Sequence, residues 1–314
     1  MTGAPLRRQV TASLEAVHEE STRFFAALDG GGEFREDHWE RPGGGGGVAR
    51  VLEGVTFEKA GVNRSAVEGI LPAAAAQRVG ALSHGLQEVG FYATGVSLVV
   101  HPHSPMIPTV HLNVRYFEIT DPAGEVRDAW FGGGTDLTPT YPFGEDAVHF
   151  HRTLKTICDR HHPSFYPRFK TWCDHYFVNT HRGEERRGIG GIFFDNLRGG
   201  ESGLGLESLL AFVLDVGRAL PLAYAPIVAR RRELAYGDRE RHFQLVRRGR
   251  YAEFNLLHDR GTVFGLQTNA RAESVLMSLP PIAAWDYAPS YPPGSFEAEL
   301  LTMLEPRSWV EEGG

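Results

Sequence analysis

Three histidines lie close together in one short stretch of the chain that prolines interrupt. His101, His103 and His111 all fall within GVSLVVHPHSPMIPTVHLNVRYFE. Imidazole has the side-chain pKa nearest to neutrality and is the commonest protein ligand of metal ions. This concentration predicts a site for proton transfer or for a metal, although a solvated loop edge would carry such residues as well.

The residues around His111 alternate in character, as they do in a β-strand with two different faces. In TVHLNVRYF one face carries His111, Asn113, Arg115 and Phe117, and the other carries Val, Leu, Val and Tyr. Histidine, asparagine and arginine together offer an acid or base, an amide, and a guanidinium that can grip a carboxylate through two hydrogen bonds. We interpret this face as a binding surface.

The segment before the prolines alternates in the same way and predicts a partner strand. Ser97 and His101 share one face of GVSLVVH, and the prolines of HPHSPMIP place that piece in a connecting loop. Antiparallel pairing around this loop would turn Ser97 and His101 toward the space that His111, Asn113 and Arg115 face.

Two further histidines are predicted on helices. His151 shares a face of GEDAVHFHRTLKTICDRHH with Leu154 and Cys158, and His181 extends the apolar row of PSFYPRFKTWCDHYFVNTHR by one turn. Alone, each is typical of a core histidine, but with the strand histidines they are what the second side of a cavity would supply. Asp195 ends the apolar run of RGIGGIFFDNL, as either a functional carboxylate or a cap.

Composition is typical of one large globular domain. The 314 residues are 42% hydrophobic and 23% charged, with no internal repeat, which predicts a single domain over residues 1–314. A net charge of −7 disfavours a nucleic-acid partner.

The sequence also bears on the location of the protein. We expect no membrane span, and the acidic residues near the N-terminus are untypical of a transit peptide, so we expect a cytoplasmic protein. Cys158 and Cys173 lack metal or redox spacing.

The remaining elements are predicted to alternate between helices and antiparallel strands. Residues 6–28, 73–86, 206–220 and 221–234 have helical periodicity, and the turn at 121–124 leads into a strand, EVRDAWFGG. The five glycines at 43–47 lack the Gly-Lys-Ser/Thr of a phosphate-binding loop and predict a flexible loop or a linker. From Tyr251 the pattern predicts a strand, a tight turn at 259–261, a second strand, and a helix from about Ala272.

The chain also carries four long motifs in a definite order: GVSLVVHPHSPMIPTVHLNVRYFE, WFGGGTDLTPTY, RGIGGIFFDNL and YAEFNLLHDRGTVFGLQTNARAESVLMSLPP. Together with GGGG, RVL and FEKAGVN upstream, they resemble the oxygen-dependent coproporphyrinogen-III oxidases over roughly residues 24–287. The resemblance implies an α+β fold, with a large antiparallel sheet flanked by helices on both faces. It also implies a homodimer in which residues 251–286 are the dimerisation segment.

The resemblance further implies the reaction. Two propionate groups of coproporphyrinogen III would be converted to vinyl groups by oxidative decarboxylation, with molecular oxygen as oxidant and peroxide as by-product. The product, protoporphyrinogen IX, is a precursor of haem. No metal or organic cofactor is expected for the redox chemistry.

Individual positions are assigned by the same resemblance. His111 matches the proton donor, and the substrate-contacting positions are Ser97, Asn113, Val114, Arg115, Asn269, Ala270 and Arg271. A divalent metal cation is implied at the four positions His101, His111, His151 and His181. The chain departs from the family pattern where Asn269-Ala270 replaces Gly-Gly and where Asn196 replaces a second aspartate.

From this chemistry we expect guanidiniums to bind the propionates and a carboxylate to act on the pyrroles. Arg115 and Arg271 are the candidates for the first role, and Asp195 is the candidate for the second, as acceptor of a pyrrole N–H proton. Two other function classes stay open at this stage. They are a metal-dependent hydrolase or oxygenase, and a tetrapyrrole-binding protein without catalysis.

Overall fold

The computed structural model describes residues 3–71, 76–77, 89–267 and 271–311. The first half of the chain contains these elements: α1 (Gly3–Asp29), β1 (Arg35–Glu40), β2 (Gly45–Leu52), β3 (Phe57–Ile70), β4 (Gly90–Pro102), β5 (Thr109–Thr120), β6 (Val126–Thr138) and α2 (Gly144–Asp159). The middle contains α3 (Phe165–Tyr176), β7 (Val178–Asn179), β8 (Glu185–Arg186) and β9 (Gly191–Arg198). The remainder is helical: α4 (Leu206–Gly217), α5 (Leu220–Ala223), α6 (Ala225–Arg231), α7 (Asp238–Leu257), α8 (Arg260–Gln267), α9 (Ala272–Leu276) and α10 (Phe296–Met303).

Within the described ranges, seven strands form one antiparallel sheet in the order β1-β2-β3-β4-β5-β6-β9. Strands adjacent in sequence are adjacent in space, until α2 and α3 intervene and β9 pairs with β6. The two strands predicted on either side of HPHSPMIP do pair, with Ser97 opposite Asn113 and Val99 opposite His111. The predicted α+β class with a large antiparallel sheet is confirmed.

One face of the sheet carries the main hydrophobic core. Leu98 of β4 and Leu112 and Val114 of β5 are fully buried there, beneath α1, α2 and α4. The predicted opening helix is therefore part of the core. At Gly217 of α4 an added Cβ would contact Val114 at 3.5 Å, so this helix lies directly on the sheet. Such close packing fixes the strand positions from one side.

The opposite face is covered by α7 and α9 from the C-terminal part of the chain. The ring of His101 on β4 packs edge-on against Tyr251 of α7 and bonds to the carbonyl of Ser278 just after α9. Further along β4, Ser97 is exposed. Helices thus flank both faces, as predicted, and they leave part of the second face open.

The glycine run is neither a linker nor a flexible loop. Gly44 and Gly45 have positive φ angles of 114° and 79° at the turn between β1 and β2. At Gly47 an added Cβ would lie 2.4 Å from the indole of Trp39. The glycines are explained by this tight hairpin, because positive φ and close strand contacts both disfavour a Cβ.

The residues predicted as a strand, turn and strand after Tyr251 form helices instead. They belong to the end of α7 and to α8. Tyr251, Phe254 and Asn255 are buried at helical spacing, and a short apolar run does not by itself distinguish helix from strand. The helix predicted from Ala272 is present as α9, whereas the one predicted over 73–86 lies largely outside the described residues.

One segment of the described chain, Leu206–Arg231, is long and apolar enough to span a membrane by length and composition. Length and composition alone are weak evidence for a membrane span, because the core helices of a globular domain meet the same criteria. The segment is divided into α4, α5 and α6, and 56% of its most apolar stretch is buried. Val213, Leu220 and Ile227 lie in the main core, as expected for core helices of a globular domain.

Candidate active site

The face of β5 opposite the main core presents three polar side chains. His111, Asn113 and Arg115 are partly buried, while Leu112 and Val114 between them are fully buried. The sheet thus brings His111, Asn113 and Arg115 to one face together with Ser97, as predicted. Val114 differs from the expectation, because strand alternation turns its side chain into the main core and away from any ligand on this face.

His111 is bonded to a buried carboxylate that the sequence did not single out. Its Nδ1 donates to Oδ1 of Asp136 at 2.8 Å, and Nη2 of Arg187 donates to both oxygens of Asp136 at 2.7 Å. Burial alone would raise the pKa of Asp136, but the charge of Arg187 and the bond from His111 hold that pKa below its ordinary value. Asp136 therefore stays ionised and fixes the imidazole with Nδ1 protonated, which leaves Nε2 for proton transfer.

The guanidinium of Arg187 is surrounded by aromatic rings. Its guanidinium carbon lies 4.1 to 4.9 Å from three ring centroids, those of Phe177, Tyr251 and Phe254. Phe177 also meets the His111 ring edge-on at 6.0 Å. Side chains of Asp136 and Arg187 are only 1% and 2% exposed, so this end of the site is dry and its electrostatic interactions are strong.

The other end of the site is an ion pair that is partly open to solvent. Nη2 of Arg115 lies 2.9 Å from Oδ1 of Asp195 on β9, and Nη1 donates to Oδ1 of Asn113 at 3.0 Å. Arg115 reaches Asp195 across β6 at Gly132, where an added Cβ would lie within 2.8 Å of both side chains. The absence of a side chain at Gly132 makes this pairing possible.

Asp195 bonds to the local backbone and also faces Arg115. The pairing of β6 with β9 shifts register at this point, and Asn196 has a positive φ of 52°. The backbone N–H of Asn196 donates to Oδ1 of Asp195 at 2.9 Å. The carboxylate thus closes a local bulge and also faces Arg115.

Arg271 is not brought to Arg115. Its guanidinium lies 2.5 Å from Oδ2 of Asp37 on β1. Asp37 belongs to the same cross-strand row as Ser97, three strands away, which is about 14 Å at ordinary strand spacing. The predicted pair of guanidiniums is therefore spread along one face. Asn269 and Ala270, the other two predicted contacts of that segment, lie outside the described residues.

The histidines expected to hold a metal do not form one cluster within the chain. His101 bonds through Nε2 to the carbonyl of Ser278 and through Nδ1 to Thr109, and His151 bonds to Tyr166 and to the carbonyl of Ile189. Burial lowers the pKa of His101 and of His151 to about 3, so both are neutral. His151 packs into the main core, on the face opposite to His101 and His111.

His181 lies elsewhere again. The predicted helix ends at Tyr176, and His181 lies in the 3-10 turn Thr180–Arg182, so its assignment to an apolar helical row was wrong. Its ring bonds to His258 at 2.8 Å and to Glu253 at 2.9 Å. In the part of the chain that the structure describes, no three His, Cys, Asp or Glu side chains are grouped to hold one metal ion. The four histidines of one chain thus do not fit a single metal site.

Comparison with known proteins gives the family of this chain. Residues 9–309 match the family model of coproporphyrinogen III oxidase. The chain belongs to this family. It is 50% identical to the oxygen-dependent coproporphyrinogen-III oxidase of Parasynechococcus marenigrum (strain WH8102), over 97% of this chain and 87% of that protein. It is 48% identical to the oxygen-dependent enzyme of Drosophila melanogaster, over 97% of this chain and 78% of that protein.

A plant relative has a similar identity to this chain. The chloroplastic oxygen-dependent coproporphyrinogen-III oxidase of Glycine max is 49% identical, over 90% of this chain and 74% of that protein. Membership of the coproporphyrinogen III oxidase family confirms the predicted oxidoreductase and decides against a metal-dependent hydrolase of unrelated substrates.

Two residues of the site were missed for different reasons. Asp136 follows Gly132 and Gly134 at two-residue spacing in WFGGGTDLTPTY, so strand alternation already places it on their face. Arg187 is the first residue of the RGIGGIFFDNL motif but lies outside any periodic pattern, and only the tertiary structure reveals its contact with Asp136.

Proposed function

We propose that the face carrying Ser97, His111, Asn113 and Arg115 is where this chain oxidatively decarboxylates coproporphyrinogen III. At each of two propionates, a –CH2–CH2–COOH group and O2 become –CH=CH2, CO2 and H2O2, so two electrons pass from the side chain to oxygen. The product is protoporphyrinogen IX. The observation that carries the proposal is the convergence of an oriented imidazole and a guanidinium on one open face of the sheet.

Substrate binding follows from the charges and the shape of this face. The side chain of Arg115 is 37% exposed, so its guanidinium can bind a propionate while Asp195 holds the other side. Gly134 of β6 is opposite Asn113 and carries no side chain, so a pyrrole ring can lie on the backbone there. The face thus offers one fixed cation for a propionate and, beside it, room for a ring of the tetrapyrrole.

Proton transfer is assigned to His111 and Asp195. With Nδ1 of His111 committed to Asp136, Nε2 delivers or removes protons as oxygen is reduced to peroxide. The carboxylate of Asp195 accepts the proton of a pyrrole N–H, which raises the electron density of the ring toward oxygen. Arg115 compensates the charge of Asp195 before the substrate arrives.

The assembly is proposed to be a homodimer formed through residues 251–286. Its support is a set of apolar side chains exposed on this segment: Leu256, Leu257, Leu266, Ile282 and Trp285, which are 43% to 58% exposed. Monomeric proteins seldom expose so many large apolar groups together. Light scattering at micromolar concentration tests the dimer. We further propose a cytoplasmic location, which cell fractionation tests.

The divalent metal is a separate proposal that rests on the four matched histidines. Both ring nitrogens of His101 and of His151 are already bonded within the chain, so binding would require those bonds to break. Elemental analysis of the purified protein and activity after chelation test it. Full activity without metal would remove any catalytic role for the ion.

The decisive experiment on function compares air with an anaerobic atmosphere, with coproporphyrinogen III as substrate. Product bearing vinyl groups is measured by fluorescence after oxidation to the porphyrin. We expect product only in the presence of oxygen, and peroxide in equal amount to the vinyl groups formed. Product formation at the same rate without oxygen, or unchanged substrate in air, would refute the proposed reaction.

A further inference from the structure

Asn63 of β3 carries a buried polar atom without a partner. Its amide oxygen, Oδ1, is inaccessible to solvent and accepts no hydrogen bond in the described structure. A buried acceptor that lost its bonds to water and gained none in the protein destabilises the fold. The presence of an unpaired buried acceptor at this position is therefore not explained by stability.

The position of Asn63 places that oxygen on the site face. Its neighbours Val62 and Arg64 face the other way, where Val62 lies in the main core and Arg64 pairs with Glu15 of α1. Strand alternation therefore turns Asn63 toward the face of His111 and Arg115.

Asn63 extends a row of polar residues across three adjacent strands. It is opposite Ser97 of β4, and Ser97 is opposite Asn113 of β5. Beyond Asn113 the same row reaches Gly134, which has no side chain. At ordinary strand spacing the row from Asn63 to Asn113 spans about 10 Å. We call Asn63, Ser97 and Asn113 the polar row.

We propose that Asn63 is a substrate-binding residue whose Oδ1 accepts a hydrogen bond from a pyrrole N–H of coproporphyrinogen III. This inference rests on the proposed function, and it requires the groups that cover Oδ1 to move aside when the substrate binds. The carboxylates of the substrate are ionised at neutral pH and offer only acceptors, whereas the pyrrole nitrogens carry hydrogen-bond donors. An unpaired acceptor thus matches a pyrrole, and the propionates are left to Arg115, two strands away.

The test replaces Asn63 by leucine, which has a similar shape and no polar atom. We expect KM and the anaerobic dissociation constant of coproporphyrinogen III to rise about tenfold, as for the loss of one good hydrogen bond. The urea midpoint should stay the same or rise, because an unpaired buried acceptor has been removed. An asparagine with a merely structural role would instead lower the midpoint.

A matched control is available at Asn179 of β7, outside the polar row. Its Oδ1 is also buried and unpaired, but its Nδ2 donates to the carbonyl of Arg250. Asn179→Leu should therefore lower the urea midpoint and leave substrate affinity unchanged.

The inference is overturned if Asn63→Leu binds substrate as tightly as the unaltered protein, or if its affinity falls only together with its stability. The anaerobic binding measurement keeps this result separate from the proposed function. If the unaltered protein binds coproporphyrinogen III but does not convert it in air, the reaction is refuted, while the comparison of dissociation constants still decides the role of Asn63.

Discussion

The two faces of the central sheet are built from alternate residues of the same strands, yet their chemistry is opposite. On one face Leu98, Leu112 and Val114 are fully buried in the main core. On the other, His111 and Arg115 are only partly buried and carry the polar contacts of the site. The apolar face thus fixes the backbone, which leaves the polar face free to present reactive groups.

The polar face is itself divided. At one end, Asp136 and Arg187 form a dry ion pair that orients His111. At the other, Arg115 and Asp195 pair where solvent still reaches them. We therefore expect changes at the dry end to affect folding as well as catalysis, and changes at the open end to affect mainly the substrate.

The largest effect is expected from His111→Ala. Loss of the acid–base group should lower kcat by about 10² to 10⁴, with little change in the anaerobic dissociation constant of the substrate. Steady-state kinetics and anaerobic titration measure the two quantities. A fall in affinity as large as the fall in kcat would contradict the assigned role.

The adjacent residue provides the matched comparison, because Leu112 points to the opposite face. Leu112→Ala should destabilise the protein by about 2 to 5 kcal/mol through the cavity it leaves, with kcat per folded molecule unchanged. If both variants lost activity and stability to the same extent, the division between the two faces would not hold.

Arg187→Met tests whether the dry end of the site also stabilises the fold. Removal of one partner leaves the carboxylate of Asp136 buried without compensation, which should cost about 3 to 5 kcal/mol of unfolding free energy. Urea denaturation measures it. The control is Arg218→Met, which breaks a pair with Glu20 whose side chains are both 41% exposed and should cost about 1 kcal/mol or less. Equal losses would show that burial of the pair is unimportant.

Gly132→Ala tests the open end. The added Cβ should push the side chains of Arg115 and Asp195 apart and raise KM about tenfold, with a small change in stability because flexible side chains absorb the displacement. Gly144→Ala is the control, since an added Cβ at Gly144 meets no atom within 4 Å. An unaltered KM for Gly132→Ala would mean that the ion pair does not position the guanidinium for the substrate.

A last comparison concerns pH and uses one buried histidine from each face. Burial lowers the pKa of both His101 and His151 to about 3, whereas an unfolded histidine has a pKa of about 6.5. Between about pH 6.5 and pH 3, each histidine therefore binds a proton only in the unfolded state. The free energy of unfolding keeps its full contribution from each neutral ring above about pH 6.5 and declines as the pH falls toward 3. The loss should be about 1.4 kcal/mol per pH unit for each histidine.

Urea denaturation between pH 7 and pH 5 checks this slope. His151→Gln on the core face should reduce the slope by the contribution of one histidine, and His101→Gln on the site face should reduce it equally. A reduction for only one of them would show that the face, and not burial, controls the protonation of these rings.

Much of the site could be predicted because its information is local. The alternation of Ser97 and His101, and of His111, Asn113 and Arg115, with prolines between, placed these residues on one face of two paired strands. The family motifs then supplied the reaction. Helix and strand were confused after Tyr251, because the apolar run there is too short to show its period and the burial of α7 is decided by its contacts with the sheet.

The sequence alone was enough for the family, for the pairing of β4 with β5 and for the side chains that share the site face, because two-residue periodicity and turn chemistry act between near neighbours. Three contacts could be learned only from the fold: Arg187 orients His111 through Asp136, Arg115 reaches Asp195 over Gly132, and Arg271 pairs with Asp37. These contacts join segments distant along the chain. Their partners are selected by packing and burial, which no local pattern encodes.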